Sequence, residues 1–156
     1  MKALVKLIFK IGLIAGVSAL VLTYIAGIYP VHGNWMYPMV KDGDLVITLK
    51  TGNYNAGDVV TYKIDDTRYF SRIVGIEGST IYMDEDSFVL NGGTPMEEIF
   101  YETISERGTI DVTVFAGEFF VLNDYRDDEN DSRTFGCISE NDLDGRVIFL
   151  FRRRGL

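Results

Sequence analysis

Cysteine is nearly missing from this chain of 156 residues: Cys137 stands alone, so no disulfide can form within it. Histidine is as scarce, and one His with one Cys cannot supply the four ligands of a structural zinc site. No metal centre or other cofactor is therefore expected. No internal repeat and no low-complexity tract is visible. Beyond Tyr29 no apolar pattern with a helical period of 3.6 residues runs to useful length, which argues against a helical domain. Basic residues are also few there. Three of the 15 Lys and Arg precede Ile11, which leaves twelve against 23 Asp and Glu, a net charge of −11 beyond Tyr29. Such a domain is repelled by nucleic acid, so no nucleic-acid partner is expected. It would also not lie flat on an anionic membrane. Arg152, Arg153 and Arg154 are the one basic cluster, either a solvated tail or a contact for lipid head groups.

What is present begins with an apolar run. Residues 11–29 carry no charge and follow Lys2, Lys6 and Lys10. At 1.5 Å per residue, such a run reaches a little under ~30 Å, the thickness of a bilayer's hydrocarbon core. It is longer than the apolar region of about 7–15 residues in a cleaved secretory signal, and no clean A-x-A site follows it. We read it as a transmembrane anchor. Lysines before the span and none just after it predict a cytoplasmic N-terminus, with residues 30–156 outside a plasma membrane crossed once.

Beyond the anchor, short β-rich runs alternate with turn signals. Leu45–Leu49 follows Lys41-Asp42-Gly43-Asp44, and Asp58–Tyr62 follows Asn55-Ala56-Gly57. Arg68–Ile76 is a long strand candidate. Ile81–Met83 and Phe88–Leu90, before Asn91-Gly92-Gly93, read as a hairpin and its turn. Phe119–Leu122 and Arg146–Phe151 complete the strands, and Ser139–Leu143 suggests one short helical turn. The expected fold is all-β, with bent antiparallel sheets in a barrel-like arrangement. The more polar stretch 92–113 is expected to form a small cap.

Four boxes then carry a resemblance. The first is Gly33-Asn34-Trp35-Met36-Tyr37-Pro38-Met39-Val40-Lys41-Asp42-Gly43-Asp44-Leu45-Val46. The second is Gly57-Asp58-Val59-Val60. The third is Tyr69-Phe70-Ser71-Arg72-Ile73-Val74-Gly75, and the fourth runs from Gly117 through Asn123-Asp124-Tyr125-Arg126 to Asp131-Ser132-Arg133-Thr134-Phe135-Gly136. In this order, after an anchor, they resemble the bacterial type I signal peptidases, in particular the short Gram-positive type. That family carries G-[ND]-S-M-x-P-T-L-x-x-G-D-x-V, then G-D-[IV]-V, then Y-[VI]-K-R-[IV]-[IV]-G, then G-x-[YF]-F-V-x-G-D-N-R and S-x-D-S-R. The self-cleaving repressors share a similar Ser-Met-Pro region but have a DNA-binding N-terminus in place of an anchor.

The resemblance implies a Ser-Lys dyad, in which a neutral Lys takes the Ser proton and the Ser attacks a peptide carbonyl. Here the Ser position is Trp35, the Lys position is Ser71, and the position of the Ser that orients the Lys is Glu129. An indole offers no nucleophilic oxygen, and a serine offers no accessible base. No catalytic residue is expected. A rewired site would have to pair His32 with Ser71 or use Glu129 as base. Trp35 is either core filler in the vacated site or a contact for a bound partner. Gly33, Asn34, Met36 and Pro38 are expected to shape a peptide cleft. Arg72, Asp124, Asp131, Ser132 and Arg133 are expected to brace it through ion pairs.

Two functions follow. One is a membrane-anchored pseudo-protease that binds extended peptide without cutting. Non-catalytic signal-peptidase-like proteins of this kind are encoded with surface pili in Gram-positive bacteria, and the resemblance implies pilin or sortase partners in pilus assembly. The other is a working signal peptidase that cleaves exported preproteins through a rewired site.

Overall fold

The computed structural model describes residues 2–94 and 108–152. The middle of the expected cap, 95–107, lies outside the described residues, as do Arg153 and Arg154. The first element is helix α1, Lys2–Tyr24, about 35 Å long at 1.5 Å per residue. None of its residues is buried, and it is long and apolar enough to cross a membrane.

The apolar run 11–29 divides between two elements. The helix stops at Tyr24, and Ala26–Pro30 forms strand β1, paired antiparallel with β2, Leu45–Leu49. Apolarity suits both elements equally, so it does not mark the junction. At the other end α1 reaches back through the three lysines, which are good helix formers.

The remaining strands are β3 (Val59–Ile64), β4 (Thr67–Gly75), β5 (Thr80–Met83), β6 (Phe88–Leu90), β7 (Ile110–Thr113), β8 (Glu118–Leu122), β9 (Ile138–Ser139) and β10 (Leu143–Phe151). They make two antiparallel sheets. The larger has the order β1-β2-β10-β3-β4-β8-β9, and the smaller has β6-β5-β7. The chain is thus mostly β, as expected. The hairpin β5–β6 is present, and a 3-10 turn covers Glu140–Asp142. Strand β7 lies inside the stretch read as cap and joins the small sheet. A second short helix, α2 (Ser132–Phe135), lies between β8 and β9.

The two Gly-Asp boxes are the same device used twice. The Asp44 carboxylate accepts from the Lys41 N–H at 3.0 Å, and the Asp58 carboxylate from the Asn55 N–H at 2.9 Å. Each closes a tight turn whose glycine has positive φ, 82° at Gly43 and 92° at Gly57. Each turn launches a strand, β2 or β3.

Three apolar clusters hold the sheets. Val31, Met36, Val40, Val46, Val59 and Phe70 pack beneath the 31–40 loop. Val60, Tyr62, Ile73, Phe119, Val121 and Ile138 form the second. The third joins the small sheet to β8 through Ile81, Met83, Phe88, Val114, Phe120 and Leu122. Strand β4 separates the first two: alternate residues point to opposite faces, so Phe70 enters one cluster while Tyr69 and Ile73 face the other.

Candidate functional site

The 33–40 loop is built on its own backbone. Asp42 accepts from the Gly33 N–H at 2.9 Å, and Asn34 accepts from the Asp42 N–H at 3.2 Å. The Val40 N–H donates to the Met36 carbonyl at 2.8 Å, with Met36 fully buried below. Gly33 has φ 88°, and a Cβ there would stand 3.0 Å from Cε2 of Trp35. The indole therefore lies against a bare backbone, and no larger residue fits at 33 without displacing it.

Trp35 is half-buried and begins a run of aromatic contacts. Its ring centroid is 5.3 Å from that of Tyr69, and Tyr69 stacks on Tyr62 at 5.8 Å and leans on Phe135 at 5.1 Å. Tyr62 sits opposite Tyr69 in the β3–β4 ladder, and Ser71 is the next residue on the same face of β4. That diagonal lets the Tyr62 hydroxyl meet the Ser71 Oγ at 3.0 Å. Ser71 is fully buried and donates to Asn123 Oδ1 at 2.7 Å. Its proton is thereby committed, and the Tyr62 O–H donates to its oxygen. Burial is the largest of the causes that push the Tyr62 phenol well above its ordinary value.

Asn123 is held in turn. Its amide nitrogen donates to the Asp128 carbonyl at 3.1 Å, and its backbone N–H donates to the Asp131 carboxylate at 2.9 Å. Asp131 caps α2 by accepting from the Arg133 N–H at 2.9 Å, and its carboxylate pairs with the Arg133 guanidinium at 2.8 Å. Both side chains are buried. Arg133 also donates to the carbonyls of Arg126 (2.8 Å) and Asp128 (2.7 Å). The Ser132 hydroxyl accepts from the Val121 N–H at 2.8 Å. The Asp131-Ser132-Arg133 box is thus a buried polar brace for the 123–135 segment.

Glu129 stands at the edge of this brace. Its carboxylate is 3.8 Å from Arg133, and its carbonyl accepts from the Thr134 hydroxyl. It makes no hydrogen bond to Ser71, whose hydroxyl is occupied by Asn123 and Tyr62. His32 is exposed and does not pair with Ser71 either.

On the other face of β4, one guanidinium joins all four sequence boxes. Arg72 makes two bonds to Asp124, Nε to Oδ1 at 2.8 Å and Nη2 to Oδ2 at 2.6 Å. It also reaches the Gly57 carbonyl at 2.8 Å and the Met39 sulfur at 3.1 Å. This fork-on-carboxylate pairing is strong and directional. Arg72 lies in the wall of an open groove of about 1010 Å³ that Pro38, Met39, Lys41, Val74 and Leu90 also line. Trp35 and Ser71 are not among its lining residues. Among the described residues no group of His, Cys, Asp and Glu is placed to hold a metal ion.

Sequence reasoning did not single out Tyr62 or Asn123. The signal for Asn123 was present, since the type I signal peptidase pattern has Gly where this chain has Asn. Tyr62 carried no signal, because the diagonal contact exists only once β3 and β4 are in register.

This arrangement can be compared with known proteins. A family model described as signal peptidase, peptidase S26, matches residues 1–152. The chain belongs to that family. Signal peptidase IB of Staphylococcus aureus (strain MW2) is 29% identical over 174 residues, covering 96% of this chain and 90% of that protein. Signal peptidase I T of Bacillus subtilis (strain 168) is 30% identical over 139 residues, or 79% of this chain and 72% of that one. A crystal structure of a signal peptidase I from Enterococcus faecalis V583 aligns with TM-score 0.49 at 23% identity, covering 62% of this chain and 98% of that one.

Proposed function

We propose that this member of the signal peptidase family is a membrane-anchored pseudo-protease. It binds extended peptide segments of exported proteins in the groove beside Arg72 and does not cut them. The observation that carries this reading is the state of Ser71. The residue at the position of the family's general base is a buried serine whose proton is donated to Asn123, and the nucleophile position holds Trp35. Neither can abstract or lose a proton usefully. The hydroxyl that would orient a lysine is replaced by Glu129, which faces Arg133.

Helix α1 supports an anchored protein, and lysines before the span favour a cytoplasmic N-terminus with the β domain outside. The partners on this reading are pilins or sortases during pilus assembly, with signal-peptide-like segments of exported proteins as the chemistry recognised. The test is a paired assay on the full chain in detergent. A preprotein with small residues before its scissile bond, and a pilin with its sorting segment, are each scored for capture and for cleavage. Capture without a new N-terminus is the expected result. Cleavage at the signal junction would replace this reading with that of a working peptidase.

A further inference from the structure

The groove beside Arg72 runs against the charge of the domain around it. Beyond Tyr29 the chain carries twelve Lys and Arg against 23 Asp and Glu. Among the described residues, the groove is lined by four of those cations, Lys41, Arg72, Arg126 and Arg152, and by one carboxylate, Asp124. Four positive charges less one negative leave this lining at +3, in a domain of −11. The Asp124 carboxylate is already met by the two-bond fork from Arg72.

Three of the cations converge on one short segment. Arg72 Nη2 donates to the Met39 sulfur at 3.1 Å, and Arg152 Nη2 donates to the Met39 carbonyl at 3.4 Å. The Lys41 ammonium lies 4.9 Å from the centre of the Tyr37 ring. A carbonyl or a ring face holds a cation in place without cancelling its charge. Among the described residues no carboxylate forms a salt bridge with Lys41 or Arg152, and both residues are exposed. Pro38, Val74 and Leu90 make the wall apolar between these charges. At about 1010 Å³ the groove stands at the top of the range of about 300–1,000 Å³ for small-ligand sites, so it holds several residues of extended chain and far exceeds a lone anion.

We propose that this groove takes an acidic segment of its partner protein, an extended stretch in which Asp or Glu alternates with apolar residues. This rests on the reading of the groove as the peptide site of a pseudo-protease. Successive side chains of an extended chain point to opposite sides. One side then offers carboxylates to Lys41 and Arg152, and the other lays apolar side chains on Pro38, Val74 and Leu90. Clusters of basic side chains are a recurrent means of recognising acidic motifs, and charge complementarity supplies specificity more than raw affinity. A simple anion would satisfy the cations and leave the apolar wall uncovered. The −11 of the whole domain disfavours acidic chains elsewhere on its surface, so the groove also sets where such a segment lands.

The experiment titrates labelled peptides of about ten residues with the full chain in detergent and reads fluorescence anisotropy. The probe alternates Glu with Val or Leu, and its counterparts carry Gln or Lys at the Glu positions. At low salt the Glu peptide should bind at least about tenfold more tightly than the Gln peptide. That advantage should shrink at about 1 M salt, where the Debye length falls to about 3 Å. The net charge of the domain alone would rank the Lys peptide first. Lys41→Glu with Arg152→Glu should weaken the Glu peptide at least about fivefold and leave the Gln peptide within about twofold, at unchanged melting temperature. Should that variant not fold, Lys41→Gln and Arg152→Gln, taken singly, should each weaken the Glu peptide about twofold. A Gln or Lys peptide that binds as tightly as the Glu peptide overturns the acidic-segment assignment. So does displacement of the Glu peptide by inorganic phosphate at equal concentration. An unchanged affinity in the folded double variant overturns the groove as the place of binding. Binding of none of the three peptides overturns the groove as a peptide site, and the assignment with it. Cleavage of a bound peptide overturns only the pseudo-protease reading, and the affinities still decide the assignment.

Discussion

The hydroxyl of Ser71 donates to Asn123 Oδ1 at 2.7 Å, across 52 residues of sequence and in full burial. On the proposed match to the type I signal peptidase pattern, Lys and Gly would stand at these places. In this chain the Ser71 hydroxyl on β4 and the Asn123 side chain after β8 satisfy each other.

Asn123→Ala should therefore destabilise the fold. It strands the Ser71 hydroxyl and removes the bond to the Asp128 carbonyl, and an unsatisfied buried polar group costs about 1–3 kcal/mol. Tyr62→Phe leaves Ser71 its acceptor and should cost less, about 0.5–1.5 kcal/mol. Urea denaturation of the two variants checks the order; a larger loss in Tyr62→Phe would contradict it.

The two arginine–carboxylate pairs should differ in the same kind of measurement. Asp131 and Arg133 are almost wholly buried, at 0% and 1% exposure, so Asp131→Ala leaves a buried cation and should cost about 3–5 kcal/mol. Arg72 and Asp124 are 29% and 16% exposed, and water screens what remains. Arg72→Ala should fall between the exposed and buried limits, at about 1–3 kcal/mol. Equal losses would mean that the groove-side pair is drier than its exposure indicates.

Alkaline pH should weaken the fold in part through Tyr62. Its phenol has a raised pKa when folded, against 10.0 when free. Below pH 10 both states keep the proton and the stability is unaffected. Above it the unfolded chain binds fewer protons than the folded one, so stability falls as pH rises toward the folded value. Tyr29 and Tyr54 are shifted the same way, so the signature of Tyr62 is a difference. The alkaline decline in melting temperature should be shallower in Tyr62→Phe than in the unaltered chain, and an identical slope would refute the assignment.

How much of this was legible beforehand varies by residue. Strand β2 was readable to its ends because Gly43-Asp44 writes the turn and Leu45–Leu49 is β-branched or apolar throughout. The order of the four boxes was readable, and with it the family. The end of α1 was not, because Ile25–Tyr29 is as apolar as the helix and becomes strand only by pairing with β2. Strand β7 and the two-residue β9 were missed for the same reason: their partners, more than their own pattern, make them strands. The bond between Ser71 and Asn123 needed β4 beside β8, although the Asn itself was visible as a departure.

Reversal of the substitutions should follow that bond. A Ser71→Lys side chain would grow toward Asn123 and Tyr62, and Glu129 would hold its ammonium charged. Trp35→Ser, Ser71→Lys and Glu129→Ser together should therefore give little cleavage until Asn123→Gly is added. The fourth change should raise single-turnover cleavage by at least about tenfold, equivalent to one pKa unit of base strength. Equal rates for the triple and quadruple variants would remove Asn123 from the account.

The central claim is that the unaltered chain binds exported peptide and leaves it whole. It is tested most directly by incubating the full-length protein in detergent with a labelled preprotein in substrate-limited, single-turnover conditions. The N-terminus of the product is then read by mass spectrometry, with a signal peptidase of known activity in parallel. The account predicts a preprotein that is retained by the protein and uncut after complete turnover in the parallel reaction. A mature N-terminus generated by this chain, and abolished by Ser71→Ala, would contradict it.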